Sequence, residues 1–298
     1  MSLRILFFVA LSAFLCSCGE EEAVETASTE IEPAPEAVEE KPAPPKQPTF
    51  WSEVKMHEVI RSANPGYSGN GQFQIDEAGQ PRAIALDNCG VTNLSPFKGM
   101  ELMALYLQGC PVPDIEALKG MPLVELYLEN SAVKDLSPLS GMTSLRKLYL
   151  SGTVVSDLSP LKGLPIVEMN LVGTNVTDLS ALKGMPLQML WLTDTPVSDI
   201  SPLAGSSMIS LTLHRTKVTD LSPLKNTSLQ RLHIGETNVT DLTPLQGLPL
   251  TRLVFDPSKI EKGMDVIRSM PTLKELGTKF EDGANDLKPP ALFWQEQG

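Results

Sequence analysis

The chain has 298 residues, 42% of them hydrophobic, which is enough to bury a sizeable core in one large or two ordinary domains. Its formal net charge is -12 at pH 7, and its lysines and arginines are scattered rather than clustered. Nucleic-acid binding requires a basic surface that neutralises phosphates, so the composition argues against a nucleic-acid partner.

The first 18 residues are predicted to be an export signal. Arg4 precedes an apolar run over residues 5–15, which is too short to cross a bilayer as a mature helix. The run ends in LCSCG at residues 15–19, which resembles the lipobox of bacterial lipoproteins. This resemblance implies lipidation of Cys18 and anchoring in the cell envelope, at the outer membrane or cell surface, facing the periplasm or the exterior. Ordinary signal-peptide cleavage and an uncleaved anchor are the alternatives.

Residues 19–48 are predicted to be a disordered tether. They contain nine Glu and two Lys, and Pro, Ala and Thr make up most of the rest. Such a segment cannot bury enough apolar surface to offset the entropy of ordering it. About 30 residues at roughly 3 Å each would hold the next domain up to about 90 Å from a membrane.

An internal repeat organises residues 81–256. A motif of the type Asp-Leu-Ser-Pro-Leu recurs at intervals of 21 residues, with one interval of 22. Each unit also has an upstream LxxLxL segment, in which alternate residues point to opposite faces, as in a strand. A fixed period of this length predicts parallel strands and one continuous leucine core. The motif begins at Asn93, Asp114, Asp135, Asp157, Asp178, Asp199, Asp220 and Asp241.

The consensus LxxLxLxxTxVxDLSPLKGMP resembles the short leucine-rich repeats of bacterial internalins. This resemblance implies an α/β-type repeat solenoid: a right-handed coil with a concave parallel β-sheet, short turn or 3-10 return limbs, and helical caps at both ends. The sequence departs from the resemblance where such repeats often carry Asn, since small hydroxyl or thiol residues stand there. They are Cys89, Cys110, Ser131, Thr153, Thr174, Thr195, Thr216, Thr237 and Ser258.

The two ends of the array are predicted to be capped, because an open end would expose the core. In the N-terminal cap, residues 49–80, four apolar residues from Met56 to Ala63 share one helical face. The C-terminal cap, residues 257–298, is predicted to hold a helix from about Ile260 to Met270, a strand near 273–276 and a closing flap at 289–294.

The return limb of each repeat is predicted to be a turn that the motif Asp caps. Ser before Pro suits the start of a helical turn, the Asp two residues earlier can bond the nearby backbone, and Gly after the turn ends it. We therefore interpret the recurring Asp as a capping residue rather than a calcium ligand.

The concave face is the candidate ligand surface. Neighbouring strands lie about 4.8 Å apart, so its outward residues would form a surface roughly 40 Å wide. Its first half is aromatic and acidic, and its second half carries Arg and His. Aromatic rings on a rigid surface anchor protein partners or stack on sugars, although cross-strand pairs could also simply stabilise the sheet. The predicted contact residues are Tyr106, Tyr127, Tyr149, Trp191, Glu125, Glu129, Glu168, His214, Arg231, His233 and Arg252.

Catalytic and metal sites are disfavoured. The sequence has no GxSxG, HExxH, CxxC, Walker or kinase motif. His214, His233 and Asp256 could share a metal, but two imidazoles without a third close ligand are weak evidence. A Ser210–His233–Asp256 triad is disfavoured because no oxyanion donor can be named. We predict no enzymatic activity, no cofactor and no metal.

Cys89 and Cys110 occupy equivalent positions in successive repeats, which places their α-carbons within reach of a disulfide. Parallel stacking does not favour the required torsion, and Thr or Ser fills the same position elsewhere. Two buried thiols are the favoured interpretation.

Together these features predict a non-enzymatic binding module of the bacterial cell envelope that recognises a protein or peptide through the concave face. Cell-wall or polysaccharide binding through the same aromatic residues, and a purely structural envelope scaffold, are the alternatives.

Overall fold

The structure is a computed structural model that divides the chain into two units, Met1–Thr49 and Phe50–Gly298. It describes residues 50–281 and 284–296. The predicted export signal, the Cys18 lipidation site and the tether lie outside the described residues. Within the described ranges, no helix has the length and apolar character needed to span a membrane.

One open eleven-stranded sheet runs through the second unit. Its strands are β1 (Gln72–Ile75), β2 (Pro81–Ala85), β3 (Ala104–Tyr106), β4 (Glu125–Tyr127), β5 (Lys147–Tyr149), β6 (Glu168–Asn170), β7 (Met189–Trp191), β8 (Ser210–Thr212), β9 (Arg231–His233), β10 (Arg252–Val254) and β11 (Glu275–Gly277). β1 is antiparallel to β2, and every later pair is parallel. Equivalent residues of successive repeats pair in register, as Leu126 does with Leu148. The predicted parallel stacking and solenoid fold are confirmed.

The core is a stack of equivalent apolar residues from successive repeats. In one repeat, Leu126 and Leu128 of the strand segment and Val133, Leu136 and Leu139 of the return limb are all buried. Full burial of each such side chain is worth about 1.5–3 kcal/mol. Because each repeat shares this core with its neighbours, it requires them in order to fold.

The return limbs are three-residue 3-10 turns capped by the motif Asp. In the turn Ser137–Leu139, the Ser137 amide donates to Asp135 Oδ1 at 2.8 Å and the Ser137 hydroxyl donates to Oδ2 at 2.8 Å. These donors hold the pKa of Asp135 below its usual value. Gly141 ends the turn with φ 76°, a conformation that favours glycine. The same pair of bonds recurs at Asp157, Asp178, Asp199 and Asp220, which confirms the capping role.

The small-residue column bonds the backbone within each coil. The hydroxyls of five threonines each donate at 2.7 Å to the carbonyl three residues earlier. Cys110 Sγ instead donates at 3.0 Å to the Leu86 carbonyl of the preceding coil. Cys89 and Cys110 are buried free thiols, as the sequence analysis favours. The threonines are Thr153, Thr174, Thr195, Thr216 and Thr237.

The N-terminal cap contains the predicted helix and a strand that was not predicted. Helix α1 (Glu53–Ala63) begins where the Ser52 side chain accepts from the Lys55 amide, and it buries Met56 and Ile60. β1 lies in a segment that is too rich in turn residues to show a strand pattern, and it pairs with the first edge of the array.

The C-terminal cap differs from its prediction in detail. Helix α2 (Met264–Arg268) is shorter than the predicted helix because Gly263, at φ 80°, precedes it in a left-handed conformation. The predicted flap is helix α3 (Pro290–Glu296), whose Phe293 ring lies 6.0 Å from Phe255. Strands β12 (Phe280–Glu281) and β13 (Ala284–Asn285) form a separate antiparallel pair.

Candidate ligand-binding face

The side of the sheet opposite the leucine core is the candidate binding surface. We define the outer sheet face as the side chains of the first and third residues of β3–β10 and of the second residue after each strand. It corresponds to the predicted concave face. All the predicted contact residues stand at these positions.

Four aromatic side chains form a row across five adjacent strands, which we call the aromatic column: Tyr106, Tyr127, Tyr149 and Trp191. The Tyr106 and Tyr127 ring centroids lie 4.8 Å apart, and Tyr127 stacks on Tyr149 at 4.3 Å with an interplanar angle of 12°. Trp191 lies 6.0 Å from Tyr149, across the strand that carries Asn170. The rings are therefore fixed by one another.

The exposure of this column differs from the prediction. Tyr106 and Tyr127 are buried, at 3% and 8% exposure, so the expectation that they face water is wrong. Strands about 4.8 Å apart leave no solvent between neighbouring rings, so each ring covers the face of the next. Tyr149 and Trp191 are half-buried and supply the accessible aromatic surface.

A charged network holds the tyrosine hydroxyls. Tyr106 Oη donates to Glu125 Oε2 at 2.9 Å, and Tyr149 Oη donates to Glu168 Oε2 at 3.0 Å. On the strand between these carboxylates, Lys147 Nζ lies 3.3 Å from Glu125 Oε1 and 3.8 Å from Glu168 Oε1. Burial, together with the Glu168 charge, raises the pKa of Tyr149, so its hydroxyl remains a donor. The network orients the exposed part of the column.

Three further predicted contact residues are buried rather than exposed: Glu129, His214 and His233. Arg215 Nη1 lies 2.8 Å from His214 Nε2, and a β-carbon at Gly235 would come within 2.7 Å of His214 Nδ1, so the ring is enclosed by these neighbours. Burial and the Arg252 charge lower the pKa of His233 to about 4. Both histidine side chains therefore belong to the outer sheet face but are covered by their neighbours.

The metal and triad interpretations gain no support. Across residues 50–281 and 284–296, no group of three or more His, Cys, Asp or Glu residues is placed to hold a metal ion. Asp256 accepts from the Ser258 amide and hydroxyl, at 3.1 and 2.6 Å, and so caps a turn.

Sequence reasoning missed an ion-pair cluster beside this face. Arg215 Nε lies 2.5 Å from Asp194 Oδ1, and Nη2 lies 2.7 Å from Oδ2. Arg215 and Glu236 have φ of 52° and 53° at a position where earlier coils have Asn, Gly or Asp. The sequence does contain a signal for this cluster. Residues with positive φ are usually Gly, Asn or Asp, and Arg215 and Glu236 are the two members of this repeat position that are not.

Comparisons with known proteins agree with this fold. The family model for leucine-rich repeats (2 copies) matches residues 123–163. An internalin of Listeria monocytogenes is 23% identical, with a TM-score of 0.58 over 74% of this chain and 73% of that chain. Internalin C2 of the same species is 24% identical, with a TM-score of 0.58 over 67% and 92%.

A plant peptide hormone receptor in complex with RGF2 is 15% identical, with a TM-score of 0.52 over 65% of this chain and 35% of that chain. No curated protein matches the sequence. The chain thus contains leucine-rich repeats and shares the solenoid fold of the internalins.

Proposed function

We propose that the protein is a non-enzymatic binding module that recognises a protein or peptide through the outer sheet face. The observation that carries the proposal is the aromatic column, whose rings and hydroxyls are fixed before any partner arrives. Rigid aromatic anchors bind partners with little loss of side-chain entropy. Tyr149 and Trp191 are the anchors that remain accessible.

The stacking geometry favours a protein or peptide over a polysaccharide. Sugar rings stack on open aromatic faces, whereas Tyr127 and Tyr149 face each other at 4.3 Å. The accessible Tyr149 therefore offers a ring edge to a partner, and that edge suits side-chain and backbone contacts. The plant receptor with a similar fold is a peptide hormone receptor, which supports the same class of ligand.

We further propose that the module is displayed on the cell envelope by a lipid on Cys18. The support is the LCSCG sequence and the acidic, proline-rich segment that follows it. Growth with a fatty-acid probe should label the wild-type chain and should leave the Cys18→Ala variant unlabelled. Equal labelling of both would contradict lipidation at this residue.

Photocrosslinking in the producing organism tests the binding surface. A photoreactive residue at position 149 or 191 should give one discrete crosslinked partner, identified by mass spectrometry. Position 154 is the matched control, because Val154 is 51% exposed outside the outer sheet face. Crosslinking of the same species from all three positions, or from none, would contradict a specific outer-face ligand and favour a scaffold role.

A further inference from the structure

The first residues of several strands on the outer sheet face are charged and form a row. At one end of this row, positive and negative charges alternate. Lys147 stands between Glu125 and Glu168 on adjacent strands, in register with both. Each carboxylate lies within 4.0 Å of the ammonium group. Each charge in this part of the row has an opposite charge beside it, so no ligand is needed to neutralise the cation.

The other end of the row is not balanced. Arg231 on β9 is in register with Arg252 on β10, and like charges in register destabilise a sheet. Arg252 is paired, since its Nη2 lies 2.6 Å from Glu275 Oε2 on β11. Within the described part of the chain, the Arg231 side chain has no ion pair or hydrogen bond. Among the residues that the structure describes, Arg231 is therefore a half-buried cation without a counterion.

The residues beside Arg231 leave it open to one side. The neighbouring strand β8 presents the small, buried Ser210 and Thr212, and the buried His214 follows them on the outer sheet face. Beyond it, β7 presents the half-buried Met189, which is in the register row of Arg231 and two strands or about 10 Å from it, and the half-buried Trp191 two residues farther along the strand. Between the cationic Arg231 and the apolar Met189, the small Ser210 leaves room for the side chain of a single acidic residue of a bound peptide.

We propose that Arg231 binds a carboxylate of an acidic peptide partner. The inference rests on the proposed function and specifies the partner's chemistry. A guanidinium binds a carboxylate through two parallel hydrogen bonds, which gives direction as well as charge. With a formal net charge of -12, the chain as a whole repels acidic peptides, so their binding requires a local cationic site.

The test uses the full chain and defined peptides in an NMR titration that follows the Arg231 side chain. One probe is tetraglutamate blocked at both ends, which offers only side-chain carboxylates. A second is N-acetylated tetraserine with a free C-terminus, and its C-terminal amide is the uncharged control. We expect one of the two carboxylate probes to bind, which identifies the source of the carboxylate, and we expect the amide not to bind.

Arg231→Gln should weaken the binding probe at least about tenfold, because a hydrogen bond to a charged group is worth about 1.5–3 kcal/mol. Lys225→Gln is the matched control: it makes the same charge change at an exposed residue on a return limb, and affinity should be unchanged. Arg231→Lys keeps the charge but loses the planar fork, so its affinity should fall between wild type and Arg231→Gln.

The melting temperature distinguishes a ligand-binding role from a folding role. Removing one of two like charges in register should leave the Tm of Arg231→Gln unchanged or raised. A lowered Tm, equal affinity of wild type and Arg231→Gln, or no binding by either carboxylate probe would overturn the inference. If crosslinking at 149 and 191 still succeeds in those cases, the proposed function stands and only the carboxylate site fails.

Discussion

The inner and outer sides of strands β3–β10 differ in how much their residues vary. On the inner side, equivalent positions carry Leu or Met, and all are buried. On the outer side, by contrast, six residue types occupy the third strand position from one coil to the next: Tyr, Asn, Trp, Thr, His and Val. Since the inner side sets the period and the fold, the outer side is free to differ from coil to coil.

The difference also shows where specificity arises in a repeat array. The inner contacts repeat between every pair of coils, so they cannot mark one coil as distinct. The outer contacts change along the array, from the Glu–Lys–Glu network around Lys147 to the like-charged pair at Arg231 and Arg252. A ligand that spans several coils would meet a unique series of groups.

The largest expected effect comes from truncating an inner residue of strand β5, and an outer residue of the same strand provides the comparison. Leu148→Ala should lower the free energy of unfolding by about 2–5 kcal/mol, because the fully buried Leu148 leaves a cavity. Lys147→Ala, one residue away on the outer side, should cost less than about 1 kcal/mol, since partly exposed ion pairs contribute little. Urea unfolding monitored by circular dichroism measures both. Equal losses would mean that the two sides do not differ in their contribution to folding.

His233 is an outer-face residue that should behave like a core residue. Its pKa is lowered from 6.5 to about 4 by burial, with contributions from Arg252, His214 and Arg231. As the pH falls below 6.5, His233 becomes protonated in the unfolded chain but stays neutral in the folded chain. The free energy of unfolding therefore decreases until the pH reaches about 4. The loss should approach ~3 kcal/mol.

Thermal or urea unfolding between pH 7 and 4 measures this dependence, and His233→Gln is the control that removes the titrating group. The variant should lose stability less steeply over that range. The carboxylates with lowered pKa values, such as Asp157, lose their contribution only as the pH falls below their usual value of 3.8. Parallel curves for wild type and variant would show that His233 is accessible to solvent.

The fold could be predicted because a strict period repeats the same physical constraint. LxxLxL strands stack only in register, and the Asp-Leu-Ser-Pro-Leu motif must turn the chain back at the same point each time. The capping bond that the Ser137 amide donates to Asp135 follows from local sequence alone. The cap helix α1 followed from its apolar face, because Met56 and Ile60 had to cover the first coil.

The exposure of the site could not be predicted in the same way. Whether Tyr127 is buried depends on the rotamers of the two tyrosines beside it, which lie 21 and 22 residues away in sequence. The burial of His214 depends on Gly235 in the next coil and on the strained Arg215. The alternation of side chains along a strand predicts which side of the sheet a residue lies on. It does not predict how side chains on that side pack against one another.

Tyr127→Leu tests whether the aromatic column contributes to folding as well as binding. The ring stacks on Tyr149 at 4.3 Å, and such pairs add about 0.5–1.5 kcal/mol beyond the area they bury. We expect a loss of this order in urea unfolding. Trp191→Leu, at the half-buried end of the column, should cost less stability while reducing crosslinking at position 149 more. The opposite ranking would make the column a purely structural feature.

The smallest expected effect comes from the threonines of the small-residue column. Thr195 Oγ1 donates to the Leu192 carbonyl at 2.7 Å, and that carbonyl also accepts the Thr195 amide at 3.2 Å. Thr195→Val keeps the shape and removes only the hydroxyl bond, so the loss should be about 0.5–1 kcal/mol. Thr177→Val is the matched control at an exposed position and should be neutral. A loss well above 1 kcal/mol would show that the hydroxyl bond holds coils together and does more than satisfy a local carbonyl.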